Sequence, residues 1–131
     1  MRMAGISKGA AGEVLAARYL RRHGYEILAA NYRTRFGEID IIATNKQYIA
    51  FVEVKLRADT AIYTPQEAVT AVKQRKILRT AMLYLQTHTT DLQPRFDVIS
   101  IVTKAGDDPL AVKSLTHLPH AFDAGDIYAT F

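Results

Sequence analysis

Asp40, Glu53 and Lys55 are the residues of this sequence whose types and spacing suit a reaction. They fall within residues 37–57, GEIDIIATNKQYIAFVEVKLR, where two β-branched apolar runs flank the polar break Thr44-Asn45-Lys46-Gln47. That pattern predicts a hairpin. With Asn45 and Lys46 at the turn, Glu38 faces Glu53, Asp40 faces Phe51, and Glu53 is a diagonal neighbour of Asp40. Alternation along a strand then sends Glu38, Asp40, Glu53 and Lys55 to one side. Ile42, Ile49 and Phe51 share that side, while Ile39, Ile41, Val52, Val54 and Leu56 take the other. Strands apolar on both faces belong inside a covered sheet, where a row of unpaired acids is costly.

A divalent cation would offset that cost. Mg²⁺ prefers oxygen ligands, keeps several waters, and is usually held by one or two carboxylates together with substrate phosphates. Asp40 and Glu53 would supply the hard anionic edge. Lys55, two residues past Glu53 on the same face, can orient a water or meet charge developing on a phosphate. The chemistry suggested is metal-assisted phosphodiester hydrolysis. The competing interpretation of the same residues is a solvated strand face with a cross-strand salt bridge.

The flanking elements must position these groups. A helix is expected from Ser7, as N-cap, to His23, with basic Arg21 and Arg22 near its negative end and Gly24 as its stop. Glu13, Ala16, Ala17 and Leu20 lie on one stripe, with Gly9, so Glu13 points toward packed protein; support of the first helical turn by its charge is the alternative. A strand over residues 25–33 and a basic connection, Asn31 to Phe36, lead into the hairpin. After it, residues 57–63 form a polar stretch suited to a substrate-contacting loop. Thr64-Pro65-Gln66-Glu67 then predicts a helix start, running to about Gln86. Its apolar stripe is Ala71, Leu78, Ala81, Met82 and Leu85 beside Ile77, headed by Gln74 and flanked by Lys73, Arg75, Lys76 and Arg79. The run RFDVISIV, residues 95–102, reads as a buried strand parallel to residues 48–56, since strand, long helix and strand make a crossover unit. Residues 110–118 predict an edge strand. His117 and His120 make a poor metal pair without a third ligand, and are expected at the surface or as caps. Tyr63 and Tyr84 are expected to pack.

Length and charge narrow the classes. A chain of 131 residues is one domain, expected over residues 1–122, with a weakly ordered tail over 123–131. Cysteine is absent, which excludes disulfides and thiolate zinc sites and favours a reducing cytoplasm. The opening MRMAGISKGAAGE lacks the apolar core of a signal peptide, and no run approaches the ~18 apolar residues of a membrane span, so no membrane partner is expected. Net charge is +4, but residues 1–88 carry 14 Lys and Arg against 7 Asp and Glu. An acidic cluster in basic surroundings suits a polyanion, and nucleic acid first. Arg33, Arg35, Arg57, Lys73, Gln74 and Arg75 are the candidate nucleic-acid contacts.

The order of Glu13 on a helix, Asp40 on a strand and Glu53-Val54-Lys55 on the next strand resembles the PD-(D/E)xK restriction-endonuclease-like superfamily, particularly its Holliday-junction-resolvase branch. More closely, the chain resembles the YraN family of small bacterial proteins, through GAAGEVLAARYLRRHGYEIL, NYRTRFGEIDIIA, FVEVKLR, PQEAV with Lys73, and RFDVISI. The resemblance implies catalytic roles for Glu13, Asp40, Glu53 and Lys55. It also implies metal ligation by Asp40, Glu53 and the Val54 carbonyl, and a further active-site residue at Gln74 or Lys73. One departure stands out: Ile39 occupies the place of the superfamily's proline. Glu38 is the alternative acid should the register shift.

The fold expected is therefore α/β and restriction-endonuclease-like, with a mixed central sheet of about five strands flanked by helices. The function expected is a Mg²⁺- or Mn²⁺-dependent nuclease acting on structured or damaged DNA, branched DNA included, with a homodimer suggested by analogy to resolvases. Two alternatives stay open. One is a non-catalytic nucleic-acid-binding protein on the same fold, and the other an interaction protein whose acidic cluster is structural.

Overall fold

The computed structural model describes residues 7–58 and 69–123. Among them the chain runs α1 (Lys8–Arg22), β1 (Glu26–Thr34), β2 (Gly37–Thr44), β3 (Tyr48–Ala58), α2 (Ala71–Thr87), β4 (Gln93–Thr103) and β5 (Val112–Phe122). The strands form one sheet in sequence order, with β3 and β4 parallel and the other neighbours antiparallel. This is the mixed, five-stranded, helix-flanked α/β sheet expected from the sequence.

Alternation on β2 and β3 creates two cores, one per face. Ile42, Ile49 and Phe51 pack with Ile77, Leu78, Ala81 and Tyr84 of α2. Ile41, Ala43, Ala50 and Val52 pack with Ala16 and Leu20 of α1, and with Ile99 and Ile101 of β4. The central strands are thus covered on both sides, which is why they read as nearly continuous apolar runs. Ile39 differs from expectation, joining the α2 core rather than the α1 side. Between Ala30 and Tyr32, the partners of Ile41 and Ile39, Asn31 takes a left-handed φ of 57°. A residue in that conformation kinks an edge strand and breaks simple alternation.

The hairpin register also differs. Ile41 pairs with Val52 and Ile42 with Phe51, two residues away from Asp40 opposite Phe51. The turn explains the shift. The Asn45 side-chain oxygen accepts the N–H groups of Gln47 at 2.9 Å and Tyr48 at 2.7 Å, and Asn45 N–H donates to the Tyr48 carbonyl at 3.1 Å. Asn45 therefore opens the turn and Lys46-Gln47 form its corners, because only the first residue of such a turn can cap the backbone ahead of it. A shift of two by itself leaves facing unchanged, so the exception at Ile39 belongs to the kink and not to the register.

Ser7 caps α1 as expected, accepting Ala10 N–H at 3.2 Å. Close approach to the sheet is made at Gly12 rather than Gly9: a Cβ on Gly12 would lie 3.3 Å from Val54 Cγ1, whereas one on Gly9 would meet nothing. For α2, the cap is Thr70, whose hydroxyl accepts Lys73 N–H at 3.2 Å, and Val69 and Thr70 are not helical. The start expected at Thr64 is corrected accordingly, and residues 64–67 themselves lie outside the described residues. So do Tyr63, most of the expected substrate-contacting loop and residues 124–131. The stripe of α2 is rotated too: Thr80 and Tyr84 are buried while Ala71 and Met82 are exposed. Thr80 tolerates burial because its hydroxyl donates to the Lys76 carbonyl at 2.7 Å.

Candidate active site

The β2–β3 ladder stops at Ile41 and Val52, and the Asp40 side chain takes over. Its Oδ2 accepts the Val54 N–H at 2.8 Å, so a carboxylate replaces a backbone carbonyl as the partner of β3. Glu53 is buried on the face of β3 that carries Lys55. Glu53 Oε1 is 3.3 Å from Lys55 Nζ and 2.5 Å from Lys73 Nζ, the latter reaching across from the first turn of α2. Glu13 comes in from α1, positioned by the Gly12 contact with β3. Glu13, Asp40, Glu53, Val54, Lys55, Arg57, Arg33, Glu38 and Lys73 line one hollow of about 480 Å³.

Electrostatics in the hollow follow from that crowding. Burial, and then the neighbouring Glu53 carboxylate, push Asp40 up to about 7 against the lowering effect of the Val54 N–H and Lys73. Burial also raises Glu13, with Glu38 adding to the shift and Arg33 opposing it. The two lysines on Glu53 diverge. Burial and the adjacent Lys73 ammonium pull Lys55 below the ordinary lysine range. Burial also acts to lower Lys73, but its closer contact with Glu53 outweighs this and leaves it raised. Lys73 thus holds the cationic place beside Glu53, and Lys55 is the more readily deprotonated amine.

The donor set fits a hard cation. Two carboxylates from adjoining strands, with the Val54 carbonyl next to Glu53 in the chain, are oxygen ligands of the kind Mg²⁺ or Mn²⁺ accepts. Among the described residues no group of three His, Asp and Glu side chains gathers as a ready-made metal cage. A cation here would take water and substrate oxygens for its remaining positions, the usual habit of Mg²⁺.

The family model described as "Uncharacterised protein family UPF0102" matches residues 12–101, a span that contains Glu13, Asp40, Glu53, Lys55 and Lys73. The chain belongs to the UPF0102 family. A UPF0102 protein of Syntrophotalea carbinolica is 50% identical over 119 residues, covering 90% of this chain and 93% of the relative. UPF0102 proteins of Geobacter metallireducens and Nocardia farcinica are 47% identical over 118 residues and 46% identical over 115, and each alignment covers at least 87% of both chains. No helix among the described residues is long and apolar enough to cross a membrane.

Within this UPF0102 fold, other sequence candidates fall less centrally. Glu38 lies on the rim, exposed and paired with Arg33 at 3.2 Å. Gln74 does not line the hollow; its side-chain amide donates to the Val69 carbonyl at 3.0 Å, so Lys73 is the α2 residue that reaches the acids. Arg35 and Arg75 line a separate hollow near the β1–β2 turn.

Sequence reasoning missed a second polar cluster on the α1 side of the sheet. Asp97, fully buried, accepts Arg95 Nε and Nη2 at 2.8 Å each and lies 2.7 Å from His117 Nε2. The Tyr19 hydroxyl is 3.2 Å from His117 Nδ1, and Tyr25 accepts from Arg95 Nη2. His117 is therefore an interior residue tying β5 and α1 to β4, not a surface or capping one. An Arg and an Asp two apart in a strand otherwise apolar was the signal available, since buried charges need partners.

Proposed function

We propose that this protein is a Mg²⁺- or Mn²⁺-dependent nuclease that hydrolyses phosphodiester bonds of structured or damaged DNA, with Asp40 and Glu53 as metal ligands and Lys55 as catalytic residue. The observation carrying this reading is that Asp40 and Glu53 enter one hollow where the strand ladder has ended, with Lys55 on the same glutamate oxygen. Both the restriction-endonuclease-like sheet and the membership of UPF0102 agree with it.

When bound, the cation would acidify a water and neutralise phosphate charge. The chain's own residues do the rest. Asp40, fixed by the Val54 N–H, and Glu53 set the anionic edge, and the Val54 carbonyl is its third oxygen. Lys55, beside Glu53 in the hollow, would orient an attacking water in line with the leaving oxygen. Lys73, paired with Glu53 at the start of α2, would be free to meet a substrate phosphate if Glu53 were held by a cation instead. Glu13 lines the same hollow from the α1 side. Arg33 and Arg57 flank the strand. Two copies on a two-fold-symmetric junction would place one hollow at each strand, with the chain acting in the cytoplasm.

A second reading draws on the Lys73–Glu53 contact: an acid already matched by an ammonium suits a structural network in a protein that binds nucleic acid or another protein and cuts nothing. The test is incubation of branched, single-stranded and duplex DNA with Mn²⁺. The nuclease should cleave at least one, stop with chelator, and lose at least ~100-fold in Glu53→Gln while binding persists. No cleavage of any of them by the wild-type chain refutes the enzymatic reading.

A further inference from the structure

The hollow around Glu53 does not end there. It shares Arg33, Glu38 and Lys73 with a second hollow of about 500 Å³. The second shares Val72 and Lys76 with a third of about 430 Å³, lined otherwise by Arg35, Phe36, Arg75 and Arg79. The three adjoin through these shared residues, along a line from the acids across the start of α2 to the β1–β2 turn, and are taken together as one groove. From Lys73 to Arg79 the helix advances about 9 Å.

Its far end is built by local sequence. Gly37 has φ 152°, and a Cβ there would lie 3.2 Å from Lys76 Cβ and 3.5 Å from Thr80 Oγ1. Only glycine lets the turn sit this closely on α2. Thr34 Oγ1 accepts Phe36 N–H at 3.1 Å and donates to the Gly37 carbonyl at 3.3 Å, which fixes the turn. Phe36 is thereby held among cations, with the Arg35 guanidinium 4.8 Å and that of Arg79 6.0 Å from its ring centroid.

Walls and floor differ in chemistry. The walls carry Arg33, Lys73, Lys76, Arg75, Arg35 and Arg79. The floor is apolar: Val72, 55% exposed, with Ile77 beneath and Phe36 at the end. Among the described residues the third hollow has no acidic lining, and Glu38 in the second is paired with Arg33. Phosphates suit the walls, but a duplex hides its base faces and leaves such a floor nothing to touch. An unpaired strand offers both.

We propose that this groove seats a single-stranded arm of nucleic acid, with phosphates on Lys76, Arg75 and Arg35 and an unpaired base against Phe36 and Val72. The arm continues to the phosphate at Glu53, so the direction of the strand rests on the nuclease reading, whereas the groove itself does not. Substrates with a single-stranded segment beside the cut, such as flaps or opened junctions, are the class it fits.

The test is fluorescence anisotropy of the full chain with labelled oligothymidine and with a labelled duplex, in chelator so that cleavage cannot contribute. The single strand should bind more tightly than the duplex. Phe36→Leu should weaken single-strand binding by about 5- to 50-fold and duplex binding by less than about twofold, whereas Phe36→Tyr retains both. Arg35→Ala/Lys76→Ala should reduce the slope of log affinity against log salt by about 1.4, and Arg22→Ala, exposed at the end of α1, should leave it unchanged. Urea midpoints for each variant separate lost binding from lost folding. The proposal is overturned if the wild-type chain binds no single strand, prefers duplex, or keeps its affinity in a folded Phe36→Leu variant. It is also overturned if Arg22→Ala matches the double variant. Strand binding of this kind without any Mn²⁺-dependent cleavage would remove the nuclease reading and leave the groove; cleavage without dependence on Phe36 would do the reverse.

Discussion

Removing the charge of Asp97 should unfold more of this protein's stability than any surface change, and the structure sets the scale. Asp97 is 0% and Arg95 5% exposed, and the pair is bidentate at 2.8 Å. Asp97→Asn leaves the Arg95 guanidinium charged among Tyr25, Tyr48 and the strand, with no counter-charge. Stranding one member of a buried pair costs about 3–5 kcal/mol. With a urea dependence of roughly 2 kcal/mol per molar, the midpoint of unfolding should fall by about 1.5–2.5 M. The control is Arg95→Met/Asp97→Asn, which strands no charge, keeps an acceptor for His117 and lays a thioether against the tyrosine rings. That double variant should recover at least ~2 kcal/mol relative to Asp97→Asn alone. Equilibrium urea unfolding followed by circular dichroism measures the wild type, Asp97→Asn, Arg95→Met and the double variant. A loss under ~1 kcal/mol for Asp97→Asn, or a double variant as unstable as the sum of the singles, would refute the reasoning. Arg95 and Asp97 would then not be an obligatory pair.

Two further outcomes follow from the same geometry. Asp40 is held at about 7, above an ordinary carboxylate, so the folded state binds its proton more tightly than the unfolded chain does. In chelator, stability should therefore decline as pH rises from about 4 through 7, and Asp40→Asn should be more stable than wild type at pH 8 by up to about 4 kcal/mol; a flat difference between the two urea midpoints across that range would be the contrary result. Gly12→Val would force α1 away from Val54 and Leu56, because even a Cβ stands 3.3 Å from Val54 Cγ1. A cost of about 1–3 kcal/mol is expected, read as a lower thermal midpoint, while Gly9→Val, facing open space, should be neutral or gain about 0.3 kcal/mol, because valine is the better helix former.

Local pattern alone determined a good deal of this protein. The apolar runs on either side of Thr44-Asn45-Lys46-Gln47 specified the hairpin. Facing was legible as well, since a period of two puts Asp40, Glu53 and Lys55 on one side whether or not the register slips by two. Ser7, Gly24 and the crossover of β3, α2 and β4 were likewise written in residue types whose preferences are local. Tertiary structure decided what depends on residues distant in sequence. Lys73, not Gln74, meets Glu53, because which side of a helix faces a sheet is set by how Thr80 and Tyr84 pack and where Thr70 starts the helix. Gly12 rather than Gly9 makes the close approach, for a glycine is needed only where another backbone arrives. Arg95, Asp97 and His117 looked unremarkable singly and became a buried network only when β5 and α1 closed over β4. Charges buried in a core acquire their meaning from partners, and partners that come from separate elements are brought together by the fold rather than by the sequence near either one.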